Sequence, residues 1–201
     1  MATTPRFRHL LAILLLSPAL CFSQKKDVVI RIMQDRSVFL TDFETNVVLK
    51  KKGFKIQVLL QNMDGVFVFA SIRDSVYRFS EKDTIYDFIY LPMLQLKEDP
   101  YNIEKELNIS ETGWSKWFYD PKAEWYTFSK KTIELNDKRI VCTKVIKQLY
   151  DVGERKQIKM ENVDGPLYLF FVAVAEYDSS GKPTKELLRK KVKIEWVDDD
   201  E

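Results

Sequence analysis

Histidine and cysteine are nearly missing from this sequence, with one His and two Cys in 201 residues, and glycine is sparse at six. The single histidine, His9, and the first cysteine, Cys21, both fall in an opening segment that carries Arg6 and Arg8, an apolar run from Leu10 to Leu16, and a stretch from Ser17 to Ser23 that ends in a small residue. That order of basic, apolar and small residues is the pattern of an export signal. Small side chains at Cys21 and Ser23 fit cleavage after Ser23, so the expected organisation is a signal peptide over 1–23 and a mature chain beginning at Gln24. Lipidation of Cys21 is the competing reading, but Pro18 and Leu20 stand where a lipobox wants Leu and a small residue. Beyond Ser23 no histidine remains and Cys142 is the sole thiol. This excludes Ser-His-Asp and Cys-His catalysis, His-bearing zinc sites, Cys-rich clusters and an internal disulfide. No metal and no cofactor is expected.

Long apolar runs and charge of one sign are also lacking. The run from Leu10 to Leu16 is well short of the roughly 20 residues that cross a bilayer, and no later stretch comes close, so no transmembrane segment is expected. Of the 32 Lys and Arg, Arg6 and Arg8 lie in the leader, which leaves 30 against 30 Asp and Glu. A neutral chain with short mixed runs does not offer the concentrated basic face that phosphate neutralisation requires, which argues against nucleic-acid binding. Lys50-Lys51-Lys52 before Gly53 reads as a solvated loop, and Asp198-Asp199-Asp200-Glu201 as a solvated end. An apolar run ending at Ser23-Gln24 before Lys25-Lys26 resembles exported β-sandwich proteins of Bacteroidota-type bacteria. The resemblance implies a periplasmic or extracellular location and carries no activity.

What is present is strand signal. Val28 to Ile32 and Thr45 to Leu49 are short and rich in β-branched residues, and Phe54, Ile56, Val58 and Leu60 alternate with polar neighbours. Asn62-Met63-Asp64-Gly65 reads as a hairpin turn into Val66 to Ile72, which is apolar on both faces. The second half repeats the device, with Asn162-Val163-Asp164-Gly165 leading to Leu167 to Ala175. The expected fold is all-β, an antiparallel β-sandwich of two immunoglobulin-like units over 24–110 and 111–201, with little helix. One larger sandwich or barrel, and a chance likeness between the two turns, are the alternatives. Pro100 to Leu107 fits two helical turns, with Ile103 and Leu107 four residues apart. After the turn-forming Asp178 to Pro183, Leu188, Val192, Ile194 and Trp196 face a core, and Arg189, Lys191, Lys193 and Glu195 face solvent. Cys142 lies in a β-branched run and reads as a buried core residue.

One constellation stands out for binding. Trp114, Trp117, Phe118, Tyr119, Trp125, Tyr126 and Phe128 crowd a short segment that holds three of the four tryptophans. Flat rings stack on ligands and bury large area at little entropic cost, so Trp114, Trp117, Tyr119, Trp125 and Tyr126 are the candidate binding residues. Packing of the same rings in the core is the alternative. Paired carboxylates of a glycosidase type are available in number, but none stands in a motif. The expected function is therefore a non-enzymatic binding or structural role in the cell envelope, with a protein or glycan as partner. A small apolar ligand or glycan held by one larger body comes second, and a carboxylate hydrolase third.

Overall fold

The computed structural model describes residues 25–42, 44–63, 66–74, 106–110, 115–117, 133–136, 139–180 and 183–198. Alternation in the sequence becomes alternation of burial. In the strand Phe54–Gln61, Phe54, Ile56, Val58 and Leu60 are buried, whereas Lys55 and Gln61 are exposed. The described strands are β1 (Asp27–Gln34), β2 (Ser37–Leu40), β3 (Glu44–Lys50), β4 (Phe54–Gln61), β5 (Val66–Ser71), β6 (Glu106–Ile109), β7 (Ser115–Trp117), β8 (Ile133–Asn136), β9 (Arg139–Ile146), β10 (Gln148–Asp151), β11 (Lys156–Lys159), β12 (Leu167–Tyr177) and β13 (Pro183–Val197). A 3-10 turn, Met160–Asn162, precedes β12.

Two five-stranded sheets dominate. Sheet I runs β2-β1-β4-β9-β8 and is antiparallel throughout. Sheet II runs β3-β13-β12-β5-β7 and is antiparallel except where β3 lies parallel to β13. Their facing sides make one hydrophobic core. Ile30, Ile32, Ile56, Val58, Cys142 and Ile146 come from sheet I, and Leu49, Val68, Leu169, Phe171, Val192 and Ile194 from sheet II. The fold is an all-β sandwich with open sheet edges, so the barrel alternative falls.

The ladders also replace the division at 110/111. β4 pairs with β9, β3 with β13 and β5 with β12, so both sheets are woven from the two halves of the chain, and one larger sandwich replaces two. The turn at Asn62 accordingly does not close a hairpin. β4 belongs to sheet I and β5 to sheet II, and the chain crosses between layers there. Asn62 does adopt the left-handed conformation expected of such a turn, with φ of 55°. The second Asn-x-Asp-Gly segment likewise joins β11, outside the two large sheets, to β12. The two similar segments thus feed adjacent antiparallel strands, with Phe69 opposite Phe170.

Glu106 and Leu107, expected at the end of a helix, are strand instead. β6 lies parallel to β10 in a three-stranded sheet with β11, and all four of its residues are buried. The Glu106 carboxylate is satisfied by this pairing: its Oε1 accepts from Gln148 Nε2 at 2.6 Å and Gln157 Nε2 at 2.5 Å. A buried carboxylate needs such donors, and the neighbouring strands supply them. The β12–β13 hairpin stands as expected, with an irregular register between Ala173 and Tyr177. Its second face is not simply solvated, however. Phe170 and Val172 are buried there, the Arg189 guanidinium lies 5.3 Å over the Phe170 ring and bonds Glu186, and Lys191 is 6% exposed. A long cationic side chain lays its stem along apolar neighbours, which periodicity alone does not reveal.

Two polar side chains tie separate strands of the sandwich together. Gln34, buried at the end of β1, donates from Nε2 to the carbonyls of Lys50, Lys52 and Gly53 at 3.0, 3.3 and 3.3 Å, and its Oε1 accepts from the Lys50 N–H at 2.8 Å. The three-lysine loop is therefore held from beneath. From the middle of β13, Lys190 Nζ donates to the Thr41 carbonyl just past β2 at 2.5 Å. Burial pushes the Lys190 ammonium below its usual range, while Asp42 and Asp27 act in the opposite sense.

Cys142 is 1% exposed at the centre of β9, opposite Val58, and burial pushes its thiol up to about 12. Only the thiolate attacks a disulfide reagent. The native protein should therefore leave Ellman's reagent unreacted at pH 8, and the thiol should titrate at once when urea unfolds the chain. Rapid labelling without urea would place Cys142 outside the core.

Candidate functional site

Trp114, Tyr119, Trp125 and Tyr126 lie outside the described residues. Trp117 ends β7, where its backbone stands opposite Val66 at the edge of sheet II. The described residues build a different site around the fourth tryptophan.

Trp196 sits near the end of β13, opposite Leu49 of the parallel β3, and packs half-buried against the core with its ring 5.9 Å from Phe54 at 57°. Beside it a groove of about 440 Å3 opens, lined by Val48, Lys51, Val163 to Pro166, and Glu195 to Val197. Three local features shape it. The Lys51 N–H donates to the Val197 carbonyl at 3.0 Å, which continues the β3–β13 ladder past Lys50. On the opposite wall Gly165 takes φ of +78°, with nothing within 4 Å of where a Cβ would sit. The glycine is thus required for its backbone conformation and not for space. Pro166 then directs the chain into β12, whose pairing with β13 begins only at Leu167 and Ile194. The groove is the gap left where this turn meets the end of β13.

Its surface is mixed. Val48 is 53% exposed and presents an apolar wall, and Asp164 and Glu195 are exposed carboxylates. Glu195 Oε1 accepts from Lys193 Nζ at 2.5 Å, and this bond raises the lysine's affinity for its proton. Lys51 Nζ lies 3.7 Å from the exposed Asp198 carboxylate, a screened pair of little energetic weight. The indole Nε1–H of Trp196 is buried and has no hydrogen-bond partner, an omission that costs about 1–3 kcal/mol.

As chemistry, this arrangement suits reversible contact. An aromatic edge, a valine and a proline offer flat apolar area, and flanking carboxylates and a lysine accept or donate hydrogen bonds. Two carboxylates in one groove do raise the question of a hydrolase. Asp164 and Glu195 are both exposed, and neither sits in the apolar enclosure that a general acid needs at neutral pH. Among the described residues no three His, Cys, Asp or Glu side chains gather to hold a metal ion, and no helix is long and apolar enough to cross a membrane. No protein-family model matches the chain, and no curated protein matches it in sequence.

Sequence reasoning placed Trp196 on a core face and assigned the turn at Gly165 to a strand connection. Both are right locally. What it lacked was the register that sets this turn beside the end of β13 and β3.

Proposed function

We propose that this chain is an exported, non-enzymatic protein of the cell envelope with a binding or structural role, built on a single immunoglobulin-like sandwich with insertions. The strand order supports the fold part of this reading: β1-β4-β9-β8 facing β13-β12-β5-β7 follows the order A-B-E-D facing G-F-C-C′ of a variable-type immunoglobulin domain, in the same chain sequence. The leader pattern over 1–23 supports export. The observation that carries the binding role is the open groove at Trp196. Among the described residues side chains fill the space between the sheets, which leaves the surface for a ligand, and the groove joins apolar area to hydrogen-bonding groups there. An envelope glycan suits it best among small ligands, because pyranose faces stack on apolar rings while their hydroxyls meet carboxylates.

The test is an envelope glycan and protein binding screen on native protein, with Val48→Arg and Asp164→Lys as exposed variants that should keep the wild-type melting temperature. Binding lost in both variants supports the groove. Hydrolysis of a glycan that stops in Asp164→Asn and Glu195→Gln would move the protein to the hydrolase reading. An intact Met1 on mass spectrometry of the native protein would overturn export.

A further inference from the structure

β2 is the outer strand of sheet I, and two of the most exposed large apolar side chains among the described residues lie on it, Val38 at 54% and Leu40 at 61%. The phase of its backbone follows from one bond: the Thr41 N–H donates to the Ile30 carbonyl at 3.1 Å. Residues 37, 39 and 41 therefore direct their peptide groups toward β1, and Val38 and Leu40 direct theirs away from the sheet. Phe39 points inward and packs partly buried against the core. Arg36 precedes this strand and Asp42 follows it, both exposed.

Read as a pattern of alternate residues, Arg36, Val38, Leu40 and Asp42 are complementary to their own reversal. Antiparallel pairing of two β2 strands about a dyad at Phe39 sets Val38 opposite Leu40 of the second copy, in register for four backbone hydrogen bonds, and brings each Arg36 toward the other copy's Asp42. Parallel pairing would instead set Arg36 beside Arg36. Charges at a sheet edge ordinarily guard it against association. Here they repel in one orientation and attract in the other, which selects a closed two-fold pair over open-ended stacking.

We infer that the protein forms a homodimer by antiparallel pairing of β2 with β2 of a second copy, joining the two copies of sheet I into one continuous sheet. Four residues of edge bury less than the roughly 800 Å2 per partner of a standard interface, so the pair is weak and concentration-dependent. The inference is independent of the groove and of where the chain is located.

Sedimentation equilibrium on the purified protein tests it. The wild type should pass from monomer to dimer with rising concentration. Arg36→Asp alone and Asp42→Arg alone should each weaken association about tenfold, because both charge pairs of the dyad become like-signed. An equimolar mixture of the two variants should recover the wild-type constant, since each substituted position then meets its opposite charge. That recovery also controls for any effect of Asp42→Arg on nearby Lys190 within one copy. Leu40→Pro removes an outward N–H and no bond of sheet I, so it should abolish the dimer with an unchanged melting profile. A monomer up to about millimolar concentration, a dimer that ignores these substitutions, a mixture that fails to recover, or edge pairing with an unrelated peptide in place of self-association would each overturn the inference.

Discussion

Neither residues 24–110 nor residues 111–201 will fold when produced alone. Among the described residues, the first half separated from the second keeps only the β1–β2 and β1–β4 ladders, and β3, β5 and β6 lose every strand they pair with. The remaining three strands would expose Ile30, Ile32, Ile56 and Val58 on one face with no opposing sheet. Such a sheet is not independently stable, because apolar burial from a second layer is what offsets the entropy of ordering its strands. The second half fares little better: β8–β9, β12–β13 and β10–β11 survive as separate hairpins, and a lone hairpin is marginal in water. Circular dichroism and amide chemical-shift dispersion of each fragment should show an unfolded chain, with β signal returning on mixing. A cooperative melt from either fragment alone would restore the division at 110/111.

The sequence made faces legible and partners illegible, and particular strands show why. A period of two states which side chains share a face, so the burial of Phe54, Ile56, Val58 and Leu60 and the two-sided burial of Val66 to Ser71 could both be read directly. It does not state which strand lies alongside. The segment at Asn62 has the residues of a hairpin turn and the left-handed backbone of one, yet the chain there steps from one sheet to the other. The same limit governed the site. The groove depends on the parallel register of β3 on β13, which sets Val48 opposite Glu195 and Leu49 opposite Trp196 across 147 positions of the sequence. No local pattern encodes that pairing. The burial of Lys191 and Arg189 was missed for a different reason, since charge alone says nothing of how the methylene stem packs.

Replacing Phe171 with Ala should cost about 3–5 kcal/mol of folding stability, a large share of the roughly 5–15 kcal/mol available to a domain of this kind. Phe171 is 0% exposed, stands opposite Val68 of β5 and Lys190 of β13, and projects into the shared core from the middle of sheet II. The loss combines the transfer energy of the ring with the cavity left among neighbours that hydrogen-bonded ladders on both sides prevent from collapsing. Val38→Ala, on the exposed edge, should stay within about 0.5 kcal/mol and serves as the control. The shape of the transition carries as much information as its midpoint. With one core fed by both halves of the chain, tryptophan fluorescence and far-ultraviolet dichroism should move together to lower denaturant in a single step. Two transitions, of which only one responds to Phe171→Ala, would mean that the halves unfold separately and that the shared core is not the unit of cooperativity.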